Sequence, residues 1–149
     1  MAAQRADTGD WRTIEGLVLA YYRALEQGAP LAPFFVTDDG AGELGPPLKI
    51  GTAADEVYAG WTAIAQALDR VAATLSHNRL ESRGLLTREA GAVGWYFDQV
   101  WWSGEEAGRP FASLTRWTGV CLRGPDGRWR FLQMHVSEGR EMEGVMRHT

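Results

Sequence analysis

The chain has 149 residues, the length of one domain able to bury roughly two-thirds of its extended-chain surface. Its 45% hydrophobic and 23% charged residues exclude a disordered or fibrous protein. The formal charge is -4, Lys49 is the only lysine and the arginines are scattered, so there is no basic stripe to neutralise phosphates and nucleic acid is not an expected partner.

From Asp10 to Gln27 the residues Ile14, Leu17, Val18, Tyr21 and Leu25 recur at helical spacing, with Asp10 as N-cap and Gly28 as stop. Pro30 and Pro33 then bracket Leu31, Phe34 and Phe35, which predicts one or two helical turns plugging an end of the core before the polar break at residues 37–40. Residues 40–60, rich in glycine and proline, read as turns and short strand pieces around Leu48, Ile50, Val57 and Tyr58. From Trp61 to Leu75, a second amphipathic helix places Ile64, Leu68, Val71, Ala72 and Leu75 on one face. Beyond Ser76 the period changes to two, and turn signals at residues 89–91, 104–110 and 124–127 predict four antiparallel strands. Helices first and a meander last make an α+β order, in a single domain spanning 1–149 with its core at about 10–139.

Cys121, the only cysteine, excludes an internal disulfide and suits a reducing compartment. The N-terminal MAAQRADTGD has no apolar signal core, and no run approaches the roughly 18 apolar residues of a membrane span. The expectation is a cytoplasmic protein without a membrane partner. His77, His135 and His148 are far apart and form no ligand motif, so no metal is expected. Neither a phosphate-cradling glycine loop nor a Gly-x-Ser-x-Gly elbow occurs, and no cofactor is expected.

Strand alternation sorts the meander onto two faces once a hairpin register is assumed. A loop at residues 124–127 sets Arg116 opposite His135 and Thr118 opposite Gln133; a loop at 104–110 sets Asp98 opposite Arg116 and Tyr96 opposite Thr118. Asp98, Arg116 and His135 then lie abreast on a mixed face, while Trp95, Phe97, Trp101, Trp117, Cys121, Leu132, Met134 and Val136 share an apolar one. Two helices cannot cover both. The expectation is that the mixed face wraps the helices and lines a cavity, and that the apolar face packs on a second copy in a homodimer; the opposite assignment is the rival.

The stretch LTRWTGVCLRGPDGRWRFLQMHVSEG resembles the terminal hairpin of the SnoaL-like and nuclear transport factor-like superfamily. The resemblance rests on Arg116-x-Thr118, the Asp126-Gly127 turn, Trp129 and His135-x-Ser137, with Tyr58-x-Gly60-x-x-x-Ile64 and the opening helix ending at Gly28 in the usual order. It implies N-terminal helices packed in the concave face of a curved antiparallel sheet, a cone-shaped α+β barrel. It also implies a conical cavity, frequent dimerisation through the sheet, and members that isomerise, cyclise, hydrolyse or only bind small molecules. The Arg-x-Asp pairing of the limonene-epoxide hydrolase-like branch is matched only by Arg79-x-Glu81 and a distant Asp98, and nothing in the spacing of Asp38, Tyr96 and Asp98 ties them to steroid isomerase-like roles.

The candidate ligand-binding residues are therefore Arg116, His135, Asp98, Tyr96 and Trp102. His135 can exchange a proton near neutral pH, or can hydrogen-bond Arg116 or Ser137 to fix the sheet. Arg116 can hold a ligand carboxylate, or be neutralised by Asp98 or Glu81. His77 reads as a solvated strand end, His148 as part of a polar tail, and Asp38 and Asp39 as turn formers or a general base at the cavity mouth. Three functions stay open: binding of a small, mainly apolar ligand that carries a polar oxygen; cofactor-independent isomerisation, cyclisation or hydrolysis in the same pocket; and a dimerisation or assembly module.

Overall fold

In the computed structural model, residues 10–140 are described. A 3-10 turn at Asp10–Arg12 leads into helix α1 (Ile14–Gln27), whose N-cap is Thr13: its hydroxyl accepts from Gly16 N at 2.9 Å. The cap thus lies three residues beyond the expected Asp10. Gly28 ends the helix in the left-handed region at φ 67°. A second 3-10 turn, Ala32–Phe34, buries Phe34 beneath Trp11, with ring centroids 4.4 Å apart. Short strands β1 (Leu48–Ile50) and β2 (Val57–Ala59) precede helix α2 (Trp61–Thr74). Asp38, a candidate base, instead caps that helix from a distance, its Oδ1 accepting from Trp61 N at 2.6 Å.

Five further strands follow: β3 (Leu75–Ser82), β4 (Leu86–Ala90), β5 (Val93–Glu106), β6 (Arg109–Arg123) and β7 (Trp129–Glu138). The extra strand arises because the first expected strand breaks at residues 83–85, and both pieces pair with β5. The sheet has seven strands in the order β2-β1-β7-β6-β5-β3, with β4 also on β5. It is curved, unclosed and mixed, since β1 runs parallel to β7. Two helices on such a sheet make the expected α+β cone, with α1 packed chiefly on β3 and also on β4, β5 and β7, and α2 beside β1–β3.

Two turns overturn the assumed register. The β5–β6 turn is only Ala107–Gly108, both at positive φ (50° and 83°), a tight hairpin turn rather than the expected seven-residue loop. It pairs Glu106 with Arg109, so Asp98 meets Trp117 and Tyr96 meets Gly119, one residue from expectation. The β6–β7 loop runs from Gly124 to Arg128, and a bulge at Val120/Cys121 adds a second one-residue shift. Arg116 therefore meets Ser137, and His135 meets Thr118.

One shift in β5 exchanges its faces, whereas two shifts in β7 restore them. Tyr96, Asp98, Val100 and Trp102 turn toward the helices with Trp117, Cys121, Met134 and Val136, while Trp95, Phe97 and Trp101 turn outward beside Arg116, Thr118 and His135. The expected polar row of Asp98, Arg116 and His135 does not exist. The helix-covered face is the apolar one, as burial energetics favour, and Met134, expected at a dimer interface, is fully buried in the core.

Tyr21 of α1 centres that core, its ring 5.3 Å from Phe34 and Phe131, 5.9 Å from Phe35 and 6.3 Å from Trp117. Packing around it is tight. A Cβ on Gly119 would overlap the Gln133 carbonyl oxygen and come within 2.7 Å of Tyr96 Cε1.

Candidate functional site

A cavity of about 490 Å³ opens between α2, the β1–β2 hairpin and the inner face of β5–β7, within the size range of small-molecule sites. The apolar half of its wall comes from Tyr21 and Leu25 of α1, Ala67 and Val71 of α2, Trp102 and Phe111 at the β5–β6 end, and Trp117, Met134 and Val136 behind. Trp102 packs edge-on against Phe111 at 5.5 Å and tilted against Trp117 at 5.6 Å.

Both indole N–H groups are engaged by protein acceptors. Trp117 Nε1 donates to Thr115 Oγ1 at 2.8 Å, and that hydroxyl donates to the Val100 carbonyl at 2.8 Å. Trp102 Nε1 donates to Asn78 Oδ1 at 2.9 Å. Asn78 reaches inward because β3 bulges at His77, whose φ is 54°. His77 itself is solvent-exposed, 3.6 Å from Glu105. The rings are thereby fixed in place, and their faces are what they offer a guest.

Lys49 is the polar feature the sequence reading passed over. It lies on β1 opposite Met134 of β7, and this parallel pairing aims its side chain at the cavity, between the half-buried Leu48 and Ile50. The residue is 9% exposed, and its ammonium makes no hydrogen bond or ion pair within 4.0 Å among the described residues. Burial pushes its pKa down from the ordinary 10.5, a shift that the charge of Glu56 partly opposes. Glu56 sits on the same hairpin, its Oε1 accepting from Ala53 N at 2.8 Å. Arg70 of α2 lies 5.4 Å over the Tyr58 ring, and Glu106 and Glu138 complete the charged part of the lining. The available signal was a lone lysine inside a Leu-Lys-Ile strand; its direction depended on a parallel partner 85 residues away.

Of the five sequence-derived candidates, Trp102 alone lines the cavity. Asp98 is fully buried on the inner face of β5, where its Oδ2 accepts from the Tyr22 hydroxyl at 3.0 Å and its Oδ1 from Gly84 N at 3.2 Å. Tyr96 is also fully buried, outside the cavity lining, and its hydroxyl has no hydrogen-bond partner among the described residues. Burial raises its pKa well above the ordinary value. Arg116 and His135 share the outer face, two residues out of register, and are separated from the cavity by the sheet itself. His148 lies outside the described residues. Cys121 is buried, which pushes its thiol up to about 12 and leaves it unreactive at neutral pH.

Among the described residues, no three His, Cys, Asp or Glu side chains are grouped to hold a metal, and no helix is long and apolar enough to cross a membrane.

Comparison with known proteins agrees with this architecture. A candidate dehydratase of the NTF2-like family from Streptomyces avermitilis superposes with a TM-score of 0.78 over 90% of this chain and 99% of its own, at 17% identity. A candidate aromatic ring hydroxylase from Novosphingobium aromaticivorans gives 0.72 over 93% and 94%, at 16% identity. A ketosteroid isomerase-like protein from Erwinia carotovora gives 0.69 over 89% and 98%, at 12% identity. No curated protein matches by sequence. Such identities speak for the fold alone, whereas the sequence profile of the SnoaL-like domain matches residues 47–140, from just before β1 to just past β7. The chain belongs to the SnoaL-like domain family.

Proposed function

We propose that the cavity binds a small organic molecule with a flat, mainly apolar body and one polar oxygen, and that Lys49 holds the oxygen. The observation that carries this reading is a nine-tenths-buried lysine whose ammonium faces the cavity without a hydrogen bond or ion pair among the described residues, in a wall that also holds the fixed rings of Trp102 and Trp117. A buried cation is costly unless something pairs with it, and a carboxylate, enolate or carbonyl oxygen supplies the missing partner. Acid-base turnover of such a molecule is the second reading; Glu56, within electrostatic reach of Lys49, favours it, and the dehydratase and isomerase-like names of two structural neighbours are compatible with it.

The test uses 2-naphthoate, which has the required body and oxygen. Calorimetric titration is expected to show binding that weakens by about 1.5–3 kcal/mol in Lys49→Met, the scale of a hydrogen bond to a charged group. Equal affinity in the variant removes Lys49 from the site. The reading also includes a second copy of the chain on the outer face, where Trp95, Trp101, Leu86, Val93 and Leu114 are 37–46% exposed. Light scattering checks this, and a monomer at micromolar concentration rejects it.

A further inference from the structure

Lys49 is the only lysine, and three features set its amine apart from an ordinary surface ammonium. It is enclosed, it lacks a protein hydrogen bond among the described residues, and cavity space lies in front of it. The other charged and titratable groups facing that space are Tyr21 from α1, Glu56 and Tyr58 from the β2 hairpin, Arg70 from α2, and Glu106 and Glu138 from β5 and β7. Only Glu56 affects the amine strongly enough to offset part of the burial. Desolvation moves a lysine toward its free amine, and a free amine is a nucleophile toward carbonyl carbon.

We infer that Lys49 is a carbonyl-capturing residue, whose Nζ forms an imine with an aldehyde or ketone held against Trp102 and Trp117. The inference rests on reading the cavity as a small-molecule site and adds a covalent step. The Nζ lone pair attacks the carbonyl carbon, the C–N bond forms, and the carbonyl π pair moves to oxygen. Glu56 takes a proton from nitrogen and returns one to that oxygen, giving a carbinolamine. Glu56, reprotonated from solvent, gives a proton to the hydroxyl, which departs as water while the nitrogen lone pair closes the C=N bond; the iminium N–H then returns its proton to Glu56, leaving the imine. Aldehyde and amine become imine and water, with no oxidant or reductant. The electron-poor imine would then acidify the neighbouring carbon, the chemistry needed for dehydration or isomerisation of a carbonyl compound.

Having one lysine makes the test clean, because the chain holds only that amine and its α-amine. The full chain is treated near neutral pH with 2-naphthaldehyde and cyanoborohydride, which reduces an imine to a stable secondary amine, and the modified residue is located by peptide mass mapping. In an unfolded chain the α-amine, with a pKa of about 8, outcompetes a lysine of about 10.4 by roughly two orders of magnitude. The folded protein is expected to reverse this order, with Lys49 the main site, and urea should restore it. Excess 2-naphthoate should protect Lys49 alone.

Lys49→Arg, which keeps the charge, should bind 2-naphthoate and form no cavity adduct, while a melting curve confirms that it folds. Labelling of the α-amine alone in folded protein that still binds 2-naphthoate overturns imine formation and leaves the binding site standing. Absence of both 2-naphthoate binding and Lys49 labelling overturns the two together.

Discussion

Replacing Asp98 by Ala separates a fold-holding carboxyl group from a ligand-holding one. Asp98 is fully buried and accepts two hydrogen bonds that join three elements: one from Tyr22 on α1, the other from Gly84 between β3 and β4. Removing the acceptor strands the buried Tyr22 hydroxyl, which costs about 1–3 kcal/mol. The exposed Gly84 N–H can turn to water, so its loss adds only about 0.5–1.5 kcal/mol, the net value of an ordinary hydrogen bond. The sum is about 1.5–4.5 kcal/mol. At about 2–4 °C per kcal/mol for a domain of this size, Tm should fall by about 10 °C. Asp98→Asn, which retains one acceptor oxygen, should lose about half as much. Tryptophan-fluorescence melts and urea titrations measure this, with 2-naphthoate affinity measured in parallel at a temperature where both variants are folded. A variant that melts within about 2 °C of the parent and loses affinity would refute the structural assignment.

Lys49→Met should be more stable than the parent at neutral pH, with an advantage that shrinks as pH rises toward 10.5. The sign follows from the lowered folded-state pKa: between that value and 10.5 the unfolded chain holds the extra proton, so rising pH favours the folded parent. Urea melts across that window check it, and an advantage that grows with pH contradicts it. Arg116→Met, on the outer face, should leave 2-naphthoate affinity unchanged and alter stability by no more than about 0.5 kcal/mol; calorimetry and a melt decide. Gly119→Ala should cost about 1–3 kcal/mol by urea titration, because its new methyl group meets the Gln133 carbonyl and the Tyr96 ring.

The helices were legible because their signal is local: apolar residues three and four apart show both the element and its buried face, whatever it packs against. Thus Tyr21, Leu25, Ile64 and Leu68 are core residues, as their spacing implied. Strand existence was equally local, carried by β-branched and aromatic density between turn signals, and the terminal hairpin pointed to the right family. Facing was not local. A strand's two faces are exchanged by one residue of register, and register here is decided by two positive-φ residues at Ala107–Gly108 and by a bulge at Val120/Cys121, neither of which leaves a distinct mark in sequence. The candidate site inherited that dependence: Trp102 kept its place in the cavity, Asp98 and Tyr96 sank into the core, and Arg116 and His135 came to the far side of the sheet. Lys49 shows the same limit from the other side. Composition marked it as the only lysine, but three residues of strand cannot say which face is inward; the parallel pairing of β1 with β7 decided it, because only that contact sets Lys49 beside Met134 and over the cavity.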